Sequence, residues 1–226
     1  QLNPGFFEAF TKIGIAHIES QRDGQAIEPL KNALKINPND DVAYVNLGTA
    51  YKNLGEHEKA IDAYLELVRI RFDDPNAYFL LASEYFLVDL YDDAISRYKD
   101  AIRLNPDHID AHFQLSQVYD ETGDLEKSLR EFEKVTQIEP SNLEGHYRKG
   151  DIYQRLENQK AAAIAFEKAL VIDPTHKLSN YQLGLSYFKL GRHEDALKKY
   201  QQATLSDPYF SEAYYQMGFT FALLKK

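Results

Sequence analysis

Cysteine is absent from the 226 residues, which excludes disulfides and thiolate metal sites. That absence suits either redox environment and leaves the compartment open, the cytoplasm being the default expectation. No apolar run approaches the length of a membrane span, so membrane insertion is not expected. Positive charge is scarce: 26 Lys and Arg face 35 Asp and Glu, a net charge of −9. Nucleic acid rewards clustered cations with counterion release, so this balance argues against it and against an anionic membrane surface. The chain begins at Gln1 with neither a methionine nor a signal-like segment, so the natural N-terminus is expected to be missing and targeting is not readable.

The signatures of catalysis are missing as well. There is no GxSxG, HExxH, GxGxxG or Walker-type loop. His108 and His112 are four apart, but His108 falls in the turn before its helix and no third ligand is apparent. Acidic pairs such as Asp92-Asp93 and Glu194-Asp195 fall in first turns of helices, where carboxylates favour the dipole. A catalytic site, a metal and a cofactor are therefore not expected.

What the chain does have is a period. Residues 177–208 read as two amphipathic helices closed by Pro208, and the same residue classes return about every 34 residues. Helix stops recur at Pro4, Pro38, Pro106, Pro140, Pro174 and Pro208, because proline cannot continue a helix. Phe72 takes the proline's place in one copy, with Pro75 following. Each first helix carries a tiny residue: Gly14, Gly48, Ala82, Ser116, Gly150, Gly184 or Gly218. Each second helix answers with a small and then a bulky one, the latter being Leu30, Tyr64, Tyr98, Phe132, Phe166 or Tyr200. Repeated glycine inside helices makes sense only where a neighbour must approach closely. Gly55, Gly123 and Gly191 fall between paired helices, where a left-handed helix end is expected. Pro29 lies within a second helix and is expected to bend it.

This pattern resembles the tetratricopeptide repeat (TPR) over essentially the whole chain, with units at 7–40, 41–74, 75–108, 109–142, 143–176 and 177–210 and a terminal first helix at 211–226. The resemblance implies an all-α, right-handed α-solenoid of antiparallel helix pairs forming one array; with one unit cut off before Phe7 and another after Lys226, a fragment of a longer protein is expected. Departures are local. His112, His146 and Asn180 replace the first aromatic, Leu67 and Val135 replace a second-helix alanine, and Lys149 sits where the other copies are apolar. A lysine there should snorkel to solvent or find an acidic partner.

In such arrays the first helices line a concave inner face, and ligands lie along it. The residues expected there are Thr11, Val45, Phe79, Phe113, Tyr147, Tyr181 and Tyr215, of which five in succession are aromatic. Leu80, Phe86 and Leu87 join them in the third unit, and Leu185, Phe188 and Phe219 further on. The stretch AYFLLASEYFLVDL is thus apolar almost all round, which calls for burial on more than one side. Two roles fit the ladder. Its rings pack laterally on the next first helix, or they anchor a partner segment. Arg148, Arg155 and Lys189 make a basic island that either pairs with Asp151 and Glu144 or clamps a partner's carboxylate. The Lys–Asn clamp of chaperone-binding TPR domains is absent, since its positions read Thr11 and Ile15, Val45 and Thr49, Phe79 and Ser83. The asparagine ladder of glycosyltransferase-type arrays also fails, with Asn46 alone in place.

The expectation is a non-enzymatic scaffold or adaptor that holds a protein or peptide segment in the concave groove. The alternatives are a substrate-recruiting region of a larger enzyme and a self-assembling scaffold. Head-to-tail association is possible through the terminal helix, where Met217, Phe221 and Leu224 lack a second helix to pack on.

Overall fold

The computed structural model describes residues 6–225; the stop expected at Pro4 lies outside them. They form thirteen α-helices and, among the described residues, no strand. In order these are α1 (Phe6–Glu19), α2 (Asp23–Ile36), α3 (Asp41–Asn53), α4 (His57–Ile70), α5 (Pro75–Leu87), α6 (Tyr91–Leu104), α7 (Ile109–Glu121), α8 (Leu125–Ile138), α9 (Leu143–Arg155), α10 (Gln159–Ile172), α11 (Lys177–Lys189), α12 (His193–Ser206) and α13 (Ser211–Leu224). The helix α2 continues unbroken through Pro29.

The chain divides into two compact units, Gln1–Val118 and Tyr119–Lys226, with the division inside α7. In the first, consecutive helices from α1 through α6 pack on one another, and α1 also meets α3. In the second, α8 to α13 do the same, and α9 also meets α11. Each helix thus buries its apolar stripe on sequence neighbours, which is the logic of a solenoid.

The interlock is a socket and a plug. A Cβ on Gly14 would stand 2.4 Å from Leu30, and on Gly48, Gly150 and Gly184 it would stand 2.4, 2.5 and 2.5 Å from the rings of Tyr64, Phe166 and Tyr200. No side chain fits in that space, so the helical cost of glycine is offset by a fully buried plug. Gly218 in α13 has nothing within 4 Å. Its socket is open. Val135 is wider than the usual alanine, and the following first helix narrows to meet it. A Cβ on Gly145 would come within 3.1 Å of Val135 and 3.0 Å of Thr136.

The turn inside each pair closes on a left-handed residue. Gly55, Gly123 and Gly191 have φ of +74°, +78° and +75°, as expected, and Gln21, Asp89 and Glu157 take the same conformation at 56°, 60° and 59°. Between pairs, one donor recurs. Tyr78 Oη donates to Phe72 O at 3.0 Å, His112 Nε2 to Pro106 O at 2.9 Å, His146 Nε2 to Pro140 O at 3.0 Å, and Asn180 Nδ2 to Pro174 O at 2.9 Å. The residues that replace the first aromatic therefore keep a tyrosine's task of tying each first helix to the turn before it. This bond also takes His112 Nε2 out of any metal pair with His108.

Candidate functional site

The ladder residues lie on the first helices at one register, and a second series holds them. Asp40, Asp74, His108, Asn142, His176 and Phe210 stand just before successive first helices. The side chains of Asp40, Asp74, Asn142 and His176 accept from backbone amides of the first turn, and His108 Nδ1 accepts from Ala111 N at 3.3 Å. Asp40, His108, His176 and Phe210 also reach back to the preceding rung. Thr11 Oγ1 donates to Asp40 at 2.6 Å. Phe79 meets His108 at 5.1 Å and Tyr98 at 5.9 Å between ring centroids. Tyr147 meets His176 at 5.6 Å and Phe166 at 5.8 Å, and Tyr181 meets Phe210 at 4.9 Å and Tyr200 at 6.0 Å. In the second unit the rungs do not stack on one another. Tyr147 and Tyr181 instead each bridge their own second helix and the next cap, at distances that suit aromatic pairs.

The rungs therefore differ in what they leave open. Phe79, Leu80, Phe86, Phe113, Tyr147, Tyr181 and Phe188 are half-buried. Tyr215 is 73% exposed, Phe219 50% and Leu87 53%. Phe86 also touches Tyr91 at 6.0 Å, while Phe188 touches His193 at 4.9 Å and Phe219 at 5.7 Å. The apolar stretch of α5 is covered on more than one side, with Leu87 left facing solvent beside half-buried Phe86. In the first unit a further cavity of about 400 Å³ is lined by Phe7, Thr11, Ile15 and the 37–42 turn.

The basic island is mostly paired. Arg148 Nε binds Glu144 at 2.6 Å and its guanidinium lies 6.0 Å from the Tyr147 ring. Arg155 binds Asp120, with Asp151 at 3.9 Å. Burial raises the Asp151 carboxyl above its ordinary pKa, and Arg155 opposes that rise. Lys149 does not find a carboxylate. Its ammonium donates to Thr136 Oγ1 at 3.3 Å, and burial pulls its pKa below the usual lysine value while Glu133 partly restores it. Lys189 is exposed and makes no ion pair among the described residues.

One side chain went unnoticed in the sequence. Glu84 of α5 is wholly buried, with His57 Nδ1 at 3.0 Å from one oxygen and Lys52 Nζ at 3.8 Å from the other. The signal was available. At the same register the other first helices carry Ala16, Ala50, Val118, Ile152, Ser186 and Thr220, so an acid there is out of place. Among the described residues no group of three or more acids or histidines is placed to hold a metal, and no helix is long and apolar enough to cross a membrane.

Sequence profiles of the tetratricopeptide repeat match residues 89–152, 184–225 and 143–176, and another matches both 30–62 and 165–198. The chain belongs to the tetratricopeptide repeat family. Among solved structures it is similar to MamA, at 29% identity over 72% of this chain and 95% of that one, with a TM-score of 0.69. It shares its fold with YrrB, described as a TPR protein with an unusual peptide-binding site, at 19% identity, TM-score 0.70, over 82% and 96% of the two chains. The fold is shared too with PilF of Pseudomonas aeruginosa, at 16% identity, TM-score 0.71, over 92% and 95%. A comparison with curated proteins finds no match.

Proposed function

We propose that the chain is a non-enzymatic interaction scaffold whose first helices hold a protein or peptide segment. The observation that carries this reading is apolar surface on those helices: Leu87 beside half-buried Phe86 in the first unit, and Tyr215 and Phe219 of α13 in the second. Burying such side chains supplies most of the binding energy of typical interfaces. TPR proteins bind protein or peptide partners, and the fold relative YrrB is described by a peptide-binding site, which supports the same reading. Arg148 and Arg155 are occupied by internal carboxylates, so on this reading they shape the face without clamping a partner. The test is selection of peptides from a random phage-displayed library on the chain. Enriched peptides should weaken by about tenfold or more on variants of the first helices, such as Leu87→Ala or Phe219→Ala. They should be indifferent to Leu205→Asp on the exposed side of α12. Equal sensitivity at Leu205 would sink the assignment.

A second reading is favoured by the open socket at Gly218, beside Phe221 and Leu224, which are 43% and 44% exposed. On this reading α13 docks a helix of another copy. Sedimentation across a concentration series should then show association that Phe221→Asp removes, and a monomer throughout would dismiss it.

A further inference from the structure

The surface shared by α11 and α13 has a chemistry of its own. Tyr181, Leu185, Phe188 and Lys189 follow one side of α11, and Tyr215 and Phe219 follow one side of α13. Tyr181 touches Phe210 just ahead of α13, and Phe188 touches Phe219 further along it. The two helices therefore run in the same direction, with an aromatic floor between them.

Charge at the two ends of that floor is opposite. Among the cations on the first helices of this unit, Arg148 and Arg155 are neutralised, Lys149 is bound to Thr136, and Lys177 binds Asp207 at 2.6 Å. Lys189, next to Phe188, has no carboxylate among the described residues. At the other end Glu212 accepts from Ser211 Oγ at 3.0 Å and lies near enough to Tyr181 to add to the rise that burial causes in that phenol's pKa. Lys189 is level with Phe219, seven residues beyond Glu212. At ~1.5 Å per residue the charges are ~10 Å apart along α13, which an extended chain covers in about three residues.

We propose that this surface binds an extended peptide segment in which apolar side chains lie between a carboxylate and a cation about three residues apart. The carboxylate meets Lys189, the apolar side chains rest on Phe188, Phe219 and Tyr215, and the cation meets Glu212. This proposal rests on the scaffold reading above and gives that reading a polarity and a place. A free ammonium at the edge of an aromatic floor sets orientation and register more than affinity, as rim charges do.

The phage library is selected in parallel on the intact chain and on the exposed-site variant Lys189→Glu. Sequences enriched on the intact chain are expected to share an acid, apolar neighbours and a base at the stated spacing. A synthetic copy of the leading peptide, followed by fluorescence polarisation, should bind about tenfold more weakly to Phe219→Ala. It should bind several-fold more weakly to Lys189→Glu, with that difference shrinking as salt rises. Replacing the peptide's acid by lysine should restore its binding to Lys189→Glu, a rescue that a merely structural role would not give. Circular dichroism melts confirm that Phe219→Ala is folded. Peptides without the acid, or binding indifferent to both variants, overturn the proposal; if such peptides respond to Leu87→Ala, the scaffold reading survives. An empty selection overturns both. Concentration-dependent association lost in Phe219→Ala would assign the surface to a second copy of the chain and also overturn it.

Discussion

The pair α5–α6 and the pair α11–α12 share one skeleton and treat their inner face in opposite ways. In each, a small residue, Ala82 or Gly184, precedes the residue that decides the fate of a buried tyrosine. Tyr98 Oη reaches Ser83 Oγ at 3.2 Å, whereas Leu185 stands at Ser83's register and leaves Tyr200 Oη buried without a partner. One position on, Glu84 is sunk against His57 and Lys52, while its counterpart Ser186 receives Gln154 Nε2 at 2.9 Å. Leu87 is exposed where α11 exposes Lys189. The first pair hides a charge and shows an apolar side chain; the second hides a hydroxyl and shows a charge. The skeleton fixes how helices meet, and it leaves the inner positions free to diverge.

The sharpest way to break that contrast is at the buried acid. His57→Ala takes the nearer hydrogen-bond partner from buried Glu84 and should cost about 1–3 kcal/mol, the range for leaving a buried acceptor unsatisfied, with Lys52 still within reach of the other oxygen. Glu84→Val should cost less than about 1 kcal/mol, because His57 and Lys52 are both partly solvated and Val118 already fills this register on α7. Urea denaturation of the two variants measures the asymmetry. Equal losses would mean that the carboxylate itself organises the site.

The next effect separates a filled socket from an open one. Gly184→Ala forces a Cβ to within 2.5 Å of the Tyr200 ring and should destabilise by about 1–3 kcal/mol. Gly218→Ala meets nothing and should stabilise by up to about 1 kcal/mol through helix propensity alone. Thermal melts of both variants give the signs directly. A loss at Gly218 would show that its socket is filled in solution, by another copy of the chain.

A smaller difference tests the tyrosines. Burial pushes the Tyr98 hydroxyl up to about 12 and raises that of Tyr200 further, with Ser83 easing only the first. Tyr98→Phe gives up a hydrogen bond and should cost about 1 kcal/mol. Tyr200→Phe removes an unpartnered buried hydroxyl and should be neutral or stabilising, and Leu185→Ser should restore the missing partner. Equal costs for the two phenylalanine variants would show that Tyr200 finds a partner in solution.

The sequence carried the skeleton because period, proline stops and the small–large alternation are constraints that every copy must satisfy. Gly14 against Leu30 and Gly184 against Tyr200 follow from spacing alone. The residues facing the candidate site were harder to read, because each answers to one neighbour distant in the chain. Phe79 was legible as an inner aromatic, yet its contact with His108 depends on a cap series at 40, 74, 108, 142, 176 and 210 whose residue types vary from Asp to Phe. Arg155 was expected either to pair with a carboxylate one turn away or to clamp a partner's; Asp151 does lie at 3.9 Å, but the nearer carboxylate, Asp120, is 35 residues away. Lys149 was expected to reach solvent or an acid, and a threonine hydroxyl on the preceding second helix satisfies it. Charge pairing across a repeat depends on side-chain reach, which periodicity does not encode.

The smallest effect compares α9 with α11, where His146 and Asn180 perform the same bond to a proline carbonyl. Burial, with help from Lys149 and Lys168, pulls the His146 pKa below the usual histidine value, and the bond to Pro140 O opposes this only in part. The folded state thus prefers the neutral ring, and the unfolded chain takes up its proton first as pH falls. The associated stability is complete above about 6.5, the unfolded value, and drains away below it towards the folded pKa. His146→Asn keeps a donor for Pro140, as Asn180 does for Pro174, and removes the titration. Melting temperature at about pH 8 should be nearly unchanged, and its decline between about pH 7 and 5 should flatten. The flattening is partial, because His108 in the first unit is lowered by burial in the same sense. An undiminished decline in the variant would show that His146 is solvated enough to titrate as a free histidine, and that asparagine and histidine are interchangeable at this joint for geometry alone.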